Sequence, residues 1–280
     1  MSKDQHTWDI ENLPGKHLSQ KGKGCLNRHQ GYKDNDPCSH QWQGYQRAKS
    51  DSGRYNWPAY KSLSVEVREK SFLMETFWFI AKSTKPPVKG EWDLAHEFMS
   101  RKKQWMRNFR TNASTPYWHE AHHLVPNSDL RGAILNVGKG HRLEGRVVLL
   151  VRGGLMDEGY NLNAALNMII LPMDRKVSSA LRLPRHRKTR MTRSHQGYSK
   201  NVRLLLDAVF APLQAKVEKC KGKLPAYRKC RRKIERISRD LYPKVIDAGA
   251  QMGGRSQAID DMPASSFQKQ EPGAANYTDL

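Results

Sequence analysis

The apolar residues of this chain come in short blocks, never in a long run, and that limits the folds open to it. No stretch approaches the ~18 consecutive apolar residues of a membrane-spanning helix, so membrane insertion is excluded at the level of sequence. The start, Met1-Ser2-Lys3-Asp4-Gln5-His6, leads into no apolar segment, which implies synthesis in the cytoplasm without a general secretory signal. The longest amphipathic patterns lie late in the chain. Val202, Leu205, Leu206, Val209 and Phe210 mark a helix expected to break near Pro212. Tyr227, Cys230, Ile234, Ile237 and Leu241 form one stripe of a second helix, expected from about Pro225 to Leu241.

Earlier patterns are weaker. Residues 1–57 are polar and predict loops or short elements. Between 59 and 83, Phe72-Leu73-Met74 and Phe77-Trp78-Phe79-Ile80 predict a helix by length. From Glu91 to Arg110, Trp92, Ala95, Phe98, Met99, Trp105, Met106 and Phe109 fall at three- and four-residue steps and predict an amphipathic helix. Its other face, with Arg101, Lys102, Lys103, Arg107 and Arg110, reads equally as a solvated surface or a phosphate contact. The organisation expected is an N-terminal region over 1–110, a core over 111–215, a basic helical extension over 216–255 and a disordered tail over 256–280. At 280 residues the chain is long enough to bury a real core.

Charge says more about partners than about fold. The net charge is +22, and most of it lies in one stretch: Leu181–Asp240 holds 19 Lys and Arg against 4 Asp and Glu. A surplus of that sign attracts polyanions, nucleic acid before anionic membrane. The four cysteines are too few and too scattered for a disulfide framework. Cys25, His29, Cys38 and His40 match no zinc-finger spacing, and free thiols are the better reading; Cys230, on the apolar stripe, reads as a buried thiol.

The informative stretch is Glu120-Ala121-His122-His123-Leu124-Val125-Pro126. In an extended segment, adjacent side chains point to opposite faces, so one imidazole can face a metal and the other a substrate. A bare pair of histidines is weak evidence, and two ordinary surface histidines explain it as well. Further along come Asn167, Leu171-Pro172 and His195-Gln196-Gly197-Tyr198 leading into the Val202 helix. In this order the motifs resemble the AHH-type nuclease toxins of the HNH/endonuclease VII superfamily, whose core is a ββα-metal finger. The resemblance covers about residues 117–210. Two departures stand out. Met191 occupies the position of a frequent extra histidine, with His186 nearby but out of register. The long interval from His123 to Asn167 implies an inserted helix or hairpin around Leu143–Leu155.

The resemblance implies an α+β fold, mostly helical with a small ββα-metal nuclease core. It implies a metal-dependent endonuclease that hydrolyses phosphodiester bonds, DNA before RNA and without sequence specificity. His122 and His195 would ligate one divalent ion (Mg²⁺ first; Zn²⁺, Ni²⁺ or Mn²⁺ as alternatives), with water in place of a third protein ligand. His123 would be the general base, and Asn167 would hydrogen-bond loop backbone and so aim it. Arg185, Arg187, Lys188, Arg190 and Arg193 precede His195 and are candidate phosphate contacts, as are Arg231, Arg232 and Lys233 of the last helix. His119 reads as a surface histidine or a substrate contact. Asp157 and Glu158 read as loop surface or as a metal carboxylate, and Tyr198 as packing on the finger helix. Toxins of this kind imply export by a specialised secretion system and an acidic immunity protein. The rival reading is a non-catalytic basic nucleic-acid-binding protein with a structural His-metal finger.

Overall fold

The computed structural model describes residues 5–28, 32–55, 93–94, 97–99, 105–110, 116–173, 175–187, 195–218, 227–251 and 258–268. The fold is α+β and mostly helical, with two small antiparallel sheets among the described residues. The central one pairs β3 (His119–His123) with β4 (Met168–Pro172), placing His122 opposite Ile169 and His123 opposite Met168. Every residue of β4 is buried. A short apolar run, Met168-Ile169-Ile170-Leu171, suits a strand covered on both faces. One cover is α2 (His40–Ser50), which packs on both strands. Gly44 permits the approach: a Cβ there would sit 3.0 Å from that of Ala121. Tyr55, at the end of α3 (Ser52–Tyr55), donates to the Ile170 carbonyl at 3.0 Å.

The interval between the strands is filled by two helices, α4 (Asn127–Gly138) and α5 (Glu144–Asp157), the second falling where an insertion was expected. After the short α6 (Arg175–Leu181), the long α7 (Gln196–Glu218) packs on α4. It completes a strand–strand–helix core with His195 just before its first turn. α8 (Tyr227–Gln251) lies across α5, α7 and the turn Ala165–Asn167. At the N-terminus, α1 (Gln5–Asn12) is tied to α5 by a buried pair in which Arg152 Nε donates to Asp9 Oδ1 at 2.7 Å.

Several expectations are corrected. The described residues of 91–110 do not form a helix: β1 (Glu97–Met99) and β2 (Trp105–Arg107) pair antiparallel. The two apolar groups are short and separated by the polar run Ser100–Gln104, and Phe and Trp suit strands, so periodicity misleads here. α7 is not broken at Pro212, and α8 runs ten residues past Leu241 through Pro243. Each proline removes one backbone bond, whereas buried Phe210, Leu213 and Val217, or Tyr242, Val245 and Ala248, hold the helix on either side. The tail is ordered at least from 258 to 268, in turns Ile259–Asp261 and Ala264–Phe267 that bury Ile259, Met262 and Phe267. Three spaced apolar residues suffice to dock an otherwise polar segment. The apolar block of 59–83 lies outside the described residues.

Candidate metal centre and active site

β3 carries two adjacent histidines to opposite sides, and each meets a different set of partners. On one side, His122 joins His186 and His195. His186 Nε2 lies 3.1 Å from His122 Nδ1 and 3.1 Å from His195 Nε2. The three rings meet edge to face, and Tyr198 closes the group against His122 at a centroid distance of 5.4 Å. Tyr198 is buried, donating its hydroxyl to the Leu124 carbonyl at 2.7 Å, so it packs rather than facing solvent.

Burial disfavours charge on His122 and His195. Burial, then the neighbouring His186 and His195, pushes His122 well below the usual imidazole range. Burial, then His186, pushes His195 down to about 4. With His186 Nε2 3.1 Å from each of the other two ring nitrogens, a divalent cation between them would engage all three lone pairs. His122 Nε2 is also buried without a hydrogen-bond partner. The donor set therefore fits a metal ion, with His122, His186 and His195 as the residues that would hold it.

Glu120 supports this arrangement from the same strand. Its Oε2 lies 3.0 Å from His186 Nδ1 and 2.9 Å from an Arg187 Nη2, and its Oε1 is 3.2 Å from Arg28 Nη2. Burial opposes ionisation, yet His186, Arg187 and Arg28 hold the carboxyl well below the usual carboxylate range. The approach to His186 Nδ1 is an ion-pair contact without hydrogen-bond alignment, but it puts a carboxylate behind the ring, as is common for metal-bound histidines.

On the other side, His123 Nε2 is 2.9 Å from Asn163 Oδ1. The Asn163 amide donates to the Asn27 carbonyl at 2.8 Å, which turns its oxygen to the ring. Nε2–H therefore donates, and Nδ1 carries the lone pair. His40 of α2 stacks on His123 at 5.5 Å. Burial, then His40, pushes His123 down to about 3, so it stands neutral near pH 7. Asn167 does not touch the ring. It staples the loop beneath: its Oδ1 accepts from Val125 N at 2.7 Å and from Ser238 Oγ at 2.8 Å, and its Nδ2 donates to Leu162 O at 2.8 Å.

The structure thus brings His122, His195 and Asn167 to one strand pair with His123, adds His186, which sequence reasoning noted only as nearby and out of register, and adds Glu120 and Asn163, to which it gave no role. The recurrence Asn163-x3-Asn167 was a readable signal; the approach of His186 was not, because the loop before α7 sets it. Among the basic candidates, Arg187 is engaged with Glu120 and Arg185 is buried, its carbonyl accepting from Ile259 N at 2.8 Å. Lys188, Arg190 and Arg193 lie outside the described residues. On α8, Arg232 and Lys233 are exposed, whereas Arg231 donates to Glu235 Oε1 at 2.7 Å and to the Glu158 carbonyl. Asp157 pairs with Lys16 and Glu158 with Arg228, on a cleft lined by Lys23, Arg228 and Arg231 rather than at the histidine cluster. His119 is not a surface residue: it is buried, its Nδ1 2.7 Å from the Tyr117 carbonyl, against Phe109.

A strand pair and a helix hold the histidine cluster, with one further histidine on the other side of the strand, an arrangement of the ββα-metal finger kind. The comparisons agree. The profile of the AHH family, described as a nuclease family of the HNH/ENDO VII superfamily with conserved AHH, matches residues 105–239, just under half of the chain, so this segment is similar to that family. The protein is therefore a metal-dependent nuclease acting on nucleic acid. No curated protein and no solved structure matches the chain. No helix among the described residues is long and apolar enough to cross a membrane.

Proposed function

We propose that the protein is an endonuclease cleaving DNA without sequence preference, with His122, His186 and His195 holding one divalent ion and His123 acting as general base. The observation that carries this reading is the division of labour on β3: His122 turns into the imidazole cluster, while the adjacent His123 turns to the other side and is held there through Nε2 by Asn163. The bound ion would supply charge neutralisation at the phosphoryl and leaving oxygens. His123 accepts the proton of the attacking water at Nδ1, Asn163 keeps its ring in that tautomer, and Asn167 fixes the loop that carries it. The negative charge of a phosphodiester beside the ring would raise its basicity above the value set by burial. Arg187 and Arg28, already at the rim through Glu120, are placed to meet flanking phosphates.

The metal preference follows from the donors. Three imidazoles and no carboxylate suit Zn²⁺ or Ni²⁺ better than Mg²⁺ or Mn²⁺, which moves Mg²⁺ from the first place expected from sequence. The test is incubation of the pure chain with plasmid DNA and with RNA, under each of these four ions and under EDTA. Plasmid should be nicked and linearised with a transition ion and spared with EDTA. Cleavage of RNA alone overturns the DNA assignment, and no cleavage of either polymer favours the non-catalytic binding reading.

The biological role we propose is that of an antagonistic toxin exported by a specialised secretion system, restrained in its producer by an acidic immunity protein. The +22 charge supports such an inhibitor, since complementary fields speed association. Expression of the wild type alone should arrest growth, and co-expression of a small acidic protein encoded beside it should restore growth. Harmless expression of a demonstrably active enzyme removes the toxin role and leaves the nuclease standing.

A further inference from the structure

A second cluster of metal-ligating side chains lies outside the family-matched segment, in the N-terminal region. His6, His17, Cys25 and Cys38 each offer one ligand atom, and all four atoms lie within 4.8 Å of one another. Cys38 Sγ is 3.9 Å from His17 Nε2, and the rings of His6 and His17 meet edge to face at 4.3 Å. A tetrahedral zinc with Zn–S of ~2.3 Å and Zn–N of ~2.0 Å separates its ligands by about 3.4–3.8 Å, close to this arrangement. The spacing in sequence hides it: the pairing of Cys25 and Cys38 with His29 and His40 is the wrong one. His40 stacks on His123 instead.

Each ligand is fixed by bonds of its own chain segment. His6 sits in the first turns of α1. His17 and Cys25 are held together by a tight loop in which Leu18 N donates to Gly24 O at 3.0 Å and Gly22 N to His17 O at 2.9 Å. Only glycine fits at position 22, where a Cβ would lie 2.1 Å from the Lys16 carbonyl carbon. His17 Nδ1 is held by Ser19, Oγ at 2.7 Å and backbone N at 3.0 Å, which leaves Nε2 turned toward Cys38. Cys38 precedes α2, with its N–H donating to Asp36 Oδ1 at 2.8 Å. Segments separated in sequence thus deliver two thiols and two imidazoles to one buried point, Cys25 and His17 with no exposed surface at all.

We propose that His6, His17, Cys25 and Cys38 form a closed, tetrahedral structural zinc site. Two sulfurs and two imidazoles are the donor set that selects Zn²⁺ among common divalent ions, and burial on all sides leaves no open position for a substrate. The site sits where the N-terminal region meets the nuclease core. Cys25 N donates to Tyr160 O at 3.0 Å, Leu162 N donates to Cys25 O at 2.7 Å, and the Asn163 amide reaches Cys25 Sγ at 3.5 Å.

The reduced full-length chain, stripped of metal and titrated with Co²⁺, tests this. Only a thiolate-bearing site gives a thiolate-to-Co²⁺ charge-transfer band, so the all-histidine cluster is silent in this channel. Wild type and His122→Ala should both show the band together with tetrahedral visible absorption, and Zn²⁺ should abolish both. Cys38→Ser should lose most of the band. His6→Ala, a milder variant that keeps both sulfurs, should retain it with Co²⁺ affinity weakened by at least the ~10–100-fold that loss of a supporting outer-shell group costs. The proposal is overturned by absence of the band in reduced wild type, by its persistence unchanged in Cys38→Ser, or by its disappearance in His122→Ala with Cys25 and Cys38 intact.

Discussion

Asn163 has more consequence than its place in the chain suggests. It ties one histidine to an N-terminal carbonyl and so decides which imidazole nitrogen keeps its lone pair. His123→Ala should leave fold and metal binding intact and lower plasmid cleavage by ~10²–10⁴, the range of a lost general base; wild-type rates would retire the assignment. His186→Ala should weaken binding of Mn²⁺ or Ni²⁺ as much as His122→Ala or His195→Ala does, measured by calorimetry. Unchanged affinity in His186→Ala would return the third position to water. His119 supports a prediction about acid stability. Burial pushes it down to about 4 from 6.5, so the unfolded chain binds its proton first and stability falls as pH drops through that window. His119→Gln loses aromatic packing at pH 7, but its deficit relative to wild type should narrow by ~1.4 kcal/mol per pH unit between 6.5 and 4. Chemical denaturation at several pH values reads this; a constant deficit would mean that folding does not shift the His119 titration.

At the scale of elements, α8 serves two purposes with two faces. Its apolar stripe buries Ile234, Ile237 and Leu241 against the core, and Ser238 reaches Asn167. Its basic face is not uniform. Arg231 is spent on Glu235 and the Glu158 carbonyl, while Arg232 and Lys233 are exposed. If the exposed pair contacts phosphate, replacing both with Gln should flatten the slope of log affinity against log salt by up to ~1.8 on duplex DNA, at ~0.9 per contact. Anisotropy across several salt concentrations gives the slope, and an unaltered one retires the helix as a DNA contact. Arg231→Gln should act differently, lowering thermal stability with little change in slope. The strand pair at 97–107 shows where element reading from sequence fails. Three- and four-residue steps over a short span fit a helix, but two three-residue strands carry the same residues, and pairing between them is invisible in a local pattern.

For the whole molecule, the N-terminal region is part of the nuclease architecture. Arg152 and Asp9 are both buried, and Asn27 joins them, its Oδ1 accepting from Arg152 Nη2 at 3.1 Å. Asp9→Ala leaves a buried guanidinium unpaired and should cost ~3–5 kcal/mol in chemical denaturation, whereas joint Asp9→Leu and Arg152→Met should recover much of that loss. An Asp9→Ala variant as stable as wild type would show that the pair contributes nothing to holding α1 on α5. What the sequence by itself determined is the chemistry that depends on residue identity in local order. The adjacent His122 and His123, Asn167, the histidine before α7, the apolar stripes of the last two helices and the basic surplus were legible because each is a short-range pattern. The tertiary structure alone decided that His186 joins His122 and His195, that Glu120 stands behind His186, and that Cys25 and Cys38 meet His6 and His17. Those groups come from segments whose approach is set by side-chain packing and backbone hydrogen bonds over long separations, and no spacing rule along the chain encodes such an approach.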